Sequence, residues 1–193
     1  MLKNLKDYNI LLASKSPRRQ ELMSELHIPF KVITLGGIDE SYPSSLPAME
    51  VAPYLSKIKA NAYLSRLSEN DLIITADTVV ILNNKIYGKP DGRESAISML
   101  EELSGKAHHV VTGVSISTHN KQITFSSVTE VVFAELSKKD IEYYVDTFLP
   151  FDKAGAYGIQ EWIGCIAVER INGSFYNVMG LPVHKLYKEL QNF

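Results

Sequence analysis

Apolar residues recur along this chain with two spacings, and each predicts a different element. Ile10 to Ala13 is a short apolar run of the kind found in a buried strand. Ser16-Pro17 then predicts a helix start, with Ser as the N-cap and Pro at the first helical position, and Leu22 and Leu26 give that helix an apolar face. Phe30 to Leu35 predicts a second strand, broken by Gly36-Gly37 and followed by a polar loop carrying Asp39 and Glu40. Val51, Leu55, Ile58 and Ala62 recur at helical spacing, so a long helix is predicted to about Leu67. Leu72 to Thr75 and Thr78 to Leu82 are β-rich runs on either side of Ala76-Asp77, and Asn83-Asn84 predicts a hairpin turn.

Ala96, Ile97, Leu100 and Leu103 mark another helix, stopped by Gly105. Val110 to Ser117 and Ile123 to Phe133, joined by His119-Asn120-Lys121, carry the strongest hairpin signal. Ile141, Tyr144 and Val145 predict a short helix, Ile166 to Ile171 a strand ending at Asn172-Gly173, and Val183, Leu186 and Leu190 a terminal helix. Helices and strands interleave, yet two long strands are consecutive. That favours an α/β fold with a mixed sheet over a purely doubly wound one. No repeat, low-complexity stretch or linker divides the chain, so residues 1–193 are expected to form a single domain.

Composition adds exclusions. The chain has 193 residues, 45% hydrophobic and 22% charged, an ordinary balance for a globular protein. Its formal charge of -2 leaves no basic footprint for nucleic acid, although a few converging cations could still bind an anionic ligand. The single cysteine, Cys165, permits no internal disulfide and reads as a small core residue. The apolar run at Ile10 to Ala13 is too short for a signal-peptide core, and no other stretch is long enough to span a membrane. A cytoplasmic location is expected.

Four clusters carry candidate chemistry. Ser14-Lys15-Ser16-Pro17-Arg18-Arg19 runs from a strand end into a helix N-terminus, where unpaired N–H groups and the macrodipole favour an anion. Two hydroxyls and two guanidiniums beside them make a phosphate cradle. Basic residues in a first turn oppose the dipole, so an ordinary capped helix would not account for them. Asp39-Glu40 and Asp77 are acidic. Asp77, after an apolar strand, is costly to bury without a partner, and such carboxylates suit Mg²⁺ carried by a triphosphate. A turn residue bonding local backbone would explain Asp77 equally well on its own, and Asp39-Glu40 alone would be a solvated loop. Lys59 borders the apolar stripe of its helix, and Lys89 lies in Gly88-Lys89-Pro90; either alone is an ordinary surface lysine. Finally, the glycine-punctuated run Phe151 to Gln160 permits close backbone approach to a ligand, and the Gln160 amide suits a base edge.

Other chemistries find no support. There is no Walker A or GxGxxG motif and no zinc spacing, and the adjacent His108 and His109 point to opposite faces of a predicted strand.

In this order the clusters closely resemble the Maf family. The matching segments are residues 12–22, 57–60, 76–80, 88–90, 103–105, 112–114, 152–160, 171–174 and 178–182, nine motifs in register over nearly the whole chain. Lys15, where a small residue is common, Tyr87 before Gly88-Lys89-Pro90, and Gly37 before Ile38-Asp39-Glu40, where many members carry an acid, depart from the pattern. The resemblance implies the fold of inosine triphosphate pyrophosphatases, two lobes around a cleft on a twisted mixed sheet. It implies hydrolysis of a nucleoside triphosphate to the monophosphate and pyrophosphate with a divalent metal, Mg²⁺ or Mn²⁺. Asp77 matches the family's proton acceptor, and Arg18, Thr78 and Gln160 match positions associated with dTTP and UTP preference. A homodimer is expected from the family and from general frequency.

These readings combine into one expectation. Ser14, Ser16, Arg18 and Arg19 hold the phosphates, Thr78 and Gln160 select a pyrimidine, Glu40 and Asp77 hold the metal, and Asp77, Lys59 and Lys89 act in catalysis. The alternatives are a non-catalytic nucleotide sensor, a cell-division regulator binding a protein partner, or a pyrophosphatase of different base preference. Family members have been linked to septum formation. The intact set of acids and bases argues against a pure sensor, which needs no base.

Overall fold

The computed structural model describes residues 2–193. Among the described residues seven strands, β1 (Asn9–Ala13), β2 (Lys31–Ile33), β3 (Asp71–Leu82), β4 (Lys85–Tyr87), β5 (Ala107–Ser117), β6 (Gln122–Phe133) and β7 (Val168–Asn172), are interspersed with seven α-helices. The helices are α1 (Pro17–Ser24), α2 (Ala48–Leu64), α3 (Arg93–Leu103), α4 (Lys138–Phe148), α5 (Trp162–Ala167), α6 (Phe175–Met179) and α7 (Val183–Asn192). The strands form one sheet in the order β2-β1-β3-β5-β6-β7, with β4 paired to β3. β1 is parallel to β2 and β3, whereas β3–β4 and β6–β7 are antiparallel, so the sheet is mixed as the element order predicts. Among the described residues no helix is long and apolar enough to cross a membrane.

The residues group into two compact units. Of the described residues, the first holds 2–77, 112–127 and 180–193, and the second holds 78–111 and 128–179.

In the first unit, α1 starts as its sequence dictates: Ser16 is extended, its side chain accepts from the Arg19 N–H, and Pro17 follows. Leu11, Tyr63 and Ile73 form a buried cluster flanked by Ile33, Leu35 and Ile38. The α2 helix carries Pro53 internally. There β5 comes very close: a Cβ on Gly113 would lie 2.2 Å from the Pro53 nitrogen and 2.3 Å from the Ala52 carbonyl carbon. A hydroxyl chain lies beside this contact. Ser56 donates to the Pro53 carbonyl, Thr75 donates to the Ser56 carbonyl, and Ser56, Ser115 and Thr124 are linked hydroxyl to hydroxyl.

The second unit is built on one core, with Leu100 and Leu103 of α3, Val110 of β5, Phe133 of β6 and Tyr144 of α4 at its centre. Asn83 and Asn84 turn β3 into β4 with φ of 50° and 64°, the left-handed pair that a tight hairpin needs. His108 is fully buried, edge-on to Phe133 and Tyr157, with its Nε2 2.8 Å from the Tyr157 hydroxyl. Burial lowers its pKa from 6.5 to about 4, against a smaller opposing pull from the Lys106 backbone. The native state therefore holds the neutral ring while the unfolded chain takes up a proton below pH 6.5. The stability this confers is complete above pH 6.5 and is lost as pH falls towards 4, by up to ~3 kcal/mol. In urea titrations at pH 7 and pH 4.5, His108→Phe should show a shallower pH dependence than the wild type. An unchanged dependence would assign the acid sensitivity elsewhere.

Four expectations are corrected. β3 is continuous through Ala76-Asp77, because buried residues on both sides and pairing with β4 carry the strand on. Ile166 and Ala167 belong to α5, and the strand begins only at Val168. Cys165, on that helix, is exposed rather than in the core. The second strand is also shorter than predicted, at Lys31–Ile33.

Candidate functional site

Register places the acidic and basic side chains of the first unit. Leu12 of β1 pairs with Ile74 of parallel β3, so continuing two residues brings Ser14 level with Ala76, next to Asp77. Here β1 has ended and β3 continues, the strand-end position at which open α/β sheets gather ligands. Thr75 and Asp77 share one face of β3, being two residues apart, and Ser56 and Lys59 share one face of α2, being three apart. Since Thr75 already bonds the Ser56 carbonyl at 2.7 Å, Lys59 faces Asp77. Its Nζ lies 2.5 Å from Asp77 Oδ1 and 2.9 Å from Glu40 Oε2.

The Asp77 and Lys59 side chains are 13% and 16% exposed, whereas Glu40 is 53% exposed. The first pair is thus shielded from solvent and the loop carboxylate is not, which makes Lys59–Asp77 the stronger contact. The neighbouring acid Asp39 turns back on its own loop and accepts from the Ser41 N–H at 2.9 Å. Asp39 and Glu40, alike in sequence, therefore differ in role.

The α1 approach is tied internally. Ser14 Oγ accepts from the Ser16 N–H, the Ser14 carbonyl accepts from Gln20, and Ser16 Oγ accepts from the Arg19 N–H. Both hydroxyls act here as acceptors and keep a proton to donate. Arg19 donates from Nε to the Gly180 carbonyl and from a terminal nitrogen to the Ala76 carbonyl, each at 2.8 Å. Desolvation lowers the pKa of its guanidinium, while the charges of Asp77 and Glu40 act the other way. These carbonyls and carboxylates supply the compensation that a cation in a first helical turn requires. Arg19 thus joins the residue preceding Asp77 to the start of the terminal segment. Arg18 is half-buried beside it.

Of the ten residues singled out in the sequence, Ser14, Ser16, Arg18, Arg19, Glu40, Lys59 and Asp77 lie in the first unit. Direct contact joins Glu40, Lys59 and Asp77. Thr78, half-buried, begins the second unit, which also holds Lys89 and Gln160 with exposed side chains. In that unit the Gly88 carbonyl accepts from the Gly155 N–H at 3.0 Å, tying the Lys89 turn to the glycine-rich run.

Three residues that sequence reading did not single out stand beside Gln160. Tyr144 donates to Glu161 Oε2, and Lys153 Nζ lies 3.0 Å from Glu161 Oε1. Burial first, and Glu161 second, raise the Tyr144 pKa and keep the phenol protonated. Lys153 lay inside a quoted motif, but Tyr144 looked like plain helix core, and no local pattern joins it to Glu161.

The arrangement defines a mixed α/β protein with a lysine-bridged carboxylate pair where β1 has ended and parallel β3 continues, close in register to a helix N-terminus. Residues 9–193 match the family described as Maf-like protein, and the chain belongs to that family. It is 54% identical over 191 residues to a dTTP/UTP pyrophosphatase of Bacteroides thetaiotaomicron, covering 99% of each chain. It is also 54% identical over 193 residues to a dTTP/UTP pyrophosphatase of Parabacteroides distasonis, covering all of both. A HAM1 protein from Coxiella burnetii shares the fold, with a TM-score of 0.51 at 14% identity over 96% of this chain and 100% of that one.

Proposed function

We propose that this chain hydrolyses dTTP and UTP, and modified pyrimidine nucleotides of the same shape, to the monophosphate and pyrophosphate. The observation that carries the reading is the convergence of Glu40 and Asp77 on Lys59. The names of the two relatives support the choice of substrate.

The carboxylate pair fits a divalent metal. Glu40 and Asp77 each give one oxygen to Lys59 Nζ and each keep a second oxygen for a metal, and among the described residues no cluster of three His, Cys, Asp or Glu offers a closed cage. That donor set suits Mg²⁺ or Mn²⁺ with its other positions filled by phosphate oxygens and water. When bound, the metal would neutralise phosphate charge and make a water more acidic.

The chain's own residues do the rest. Water must attack the α-phosphorus in line with the departing pyrophosphate, so positioning and charge neutralisation dominate. Asp77 accepts the water's proton while Lys59 holds its Oδ1. Ser14, Ser16 and the α1 N-terminus hold phosphate oxygens, and Arg18, Arg19, Lys59 and Lys89 offset their charge. Thr78 and Gln160 select the base. Residence in the cytoplasm and assembly as a homodimer belong to the same proposal.

A panel of dTTP, UTP, CTP, GTP, ATP and 7-methyl-GTP tests it, with products separated and pyrophosphate assayed. Monophosphate and pyrophosphate from dTTP and UTP, abolished by EDTA and restored by Mg²⁺ or Mn²⁺, are expected. Turnover of another base alone would overturn the role given to Gln160. Diphosphate and orthophosphate would overturn the site of attack, and nucleotide binding without turnover would favour a sensor.

A further inference from the structure

We propose that Tyr144, Glu161 and Lys153 are positioning residues that hold the backbone beneath Gln160, and so set how sharply the chain discriminates among pyrimidine bases. The proposal rests on the nucleotide-hydrolysing reading above. From Lys153 to Ile163, Gln160 is the one residue classed as exposed; Lys153, Gly155 to Ile159 and Ile163 are buried. A single amide side chain is therefore presented by an otherwise covered segment.

That segment is fixed from below. The Tyr144 hydroxyl, on a fully buried side chain, accepts from the Gly158 N–H at 3.0 Å and donates to Glu161 Oε2, so it grips the chain on both sides of Gln160. The other Glu161 oxygen is 3.0 Å from Lys153 Nζ, which also lies 2.8 Å from Asp152 Oδ1. Within the loop, the Gly158 carbonyl accepts from Glu161, and the Glu161 carbonyl from Gly164, each at 2.9 Å. The available space is filled. A Cβ on Gly158 would lie 2.8 Å from the Glu161 carboxyl carbon and 3.0 Å from Lys153 Cε, and one on Gly164 would lie 1.8 Å from the Ile159 carbonyl oxygen.

An amide offers one donor edge and one acceptor edge. Uracil and thymine present the opposite pattern to cytosine, so discrimination depends on where the amide is held. A polar site rejects the wrong partner strongly only when its groups are rigid, and a small displacement relaxes the choice.

The test uses the full chain with Tyr144→Phe and Glu161→Gln, reading kcat/KM for dTTP and CTP alongside Tm. In both variants the dTTP-to-CTP ratio should fall about tenfold, with CTP turnover itself changed less than about twofold. Hydrogen exchange over residues 153–161 in nucleotide-free protein should quicken about tenfold. If Tyr144→Phe does not fold, Glu161→Gln carries the test alone, because it keeps an oxygen for Tyr144 and removes the ion pair with Lys153. Equal loss for both nucleotides, an unchanged ratio or unchanged exchange would overturn the positioning role. A wild type that hydrolyses neither nucleotide removes this proposal together with the function reading. A wild type that hydrolyses dTTP, with the ratio intact in both variants, removes the proposal alone.

Discussion

Replacing Asp77 with asparagine is expected to lower kcat for dTTP and UTP by at least ~100-fold, the scale of losing a positioned general base. Asparagine has the shape of aspartate and keeps an oxygen for Lys59 Nζ, 2.5 Å away in the native protein, but it has no basic oxygen for a water proton. Lys59 would keep Glu40 as an ionic partner, so the cation is not stranded. The fold should survive, with a Tm shift of a few degrees. Steady-state kinetics on the purified variant, beside a thermal melt, check both statements. Near wild-type turnover in a folded Asp77→Asn protein would remove Asp77 from the mechanism.

The second large effect concerns stability. Gly113→Ala puts a methyl where the backbone of Ala52 and Pro53 already stands, 2.2–2.3 Å away. Backbone atoms cannot step aside as a side-chain tip does, so α2 or β5 must shift. The cost falls at or above the upper end of ordinary overpacking, about 3 kcal/mol or more. For a chain of this length that lowers Tm by roughly 6–12 °C. Because α2 also carries Lys59, turnover should fall with it. Gly36→Ala is the control: nothing lies within 4 Å of a Cβ there, and its melt should match the wild type. A Gly113→Ala protein melting with the control would mean that α2 and β5 do not approach so closely.

How much of this was legible in the sequence depends on whether the cause was local. Ser16-Pro17 set the start of α1 and Asn83-Asn84 the turn after β3, because capping and left-handed backbone are decided within a few residues. The continuity of β3 through Asp77 was not legible. Aspartate disfavours strands, and the lysine that offsets this lies eighteen positions earlier in α2. The α5 helix was hidden for a similar reason. Its six residues are too few to show a stripe, and Ile166 and Val168 suggest a strand.

In the candidate site, residue types and spacing favoured a phosphate cradle at Ser14 and Ser16, whereas Lys59 and Asp77 gained weight only in combination and from the family resemblance. Glu40 was preferred to Asp39 there without a physical ground in the sequence; the structure supplies one, since Asp39 bonds its own loop and Glu40 reaches Lys59. Residue types and spacing did not show that Arg19 bonds two backbone carbonyls, because backbone acceptors leave no trace in side-chain patterns. The Tyr144–Glu161 contact was invisible for the same reason as the β3 pairing: it joins residues that no periodicity relates.

The central claim is that water attacks the α-phosphorus. Hydrolysis of dTTP in ¹⁸O-labelled water tests it most directly, because attack at either the α- or the β-phosphorus yields dTMP and pyrophosphate, and only the label tells them apart. One ¹⁸O in the dTMP phosphate and none in pyrophosphate is the result expected here. Label in the pyrophosphate would contradict it.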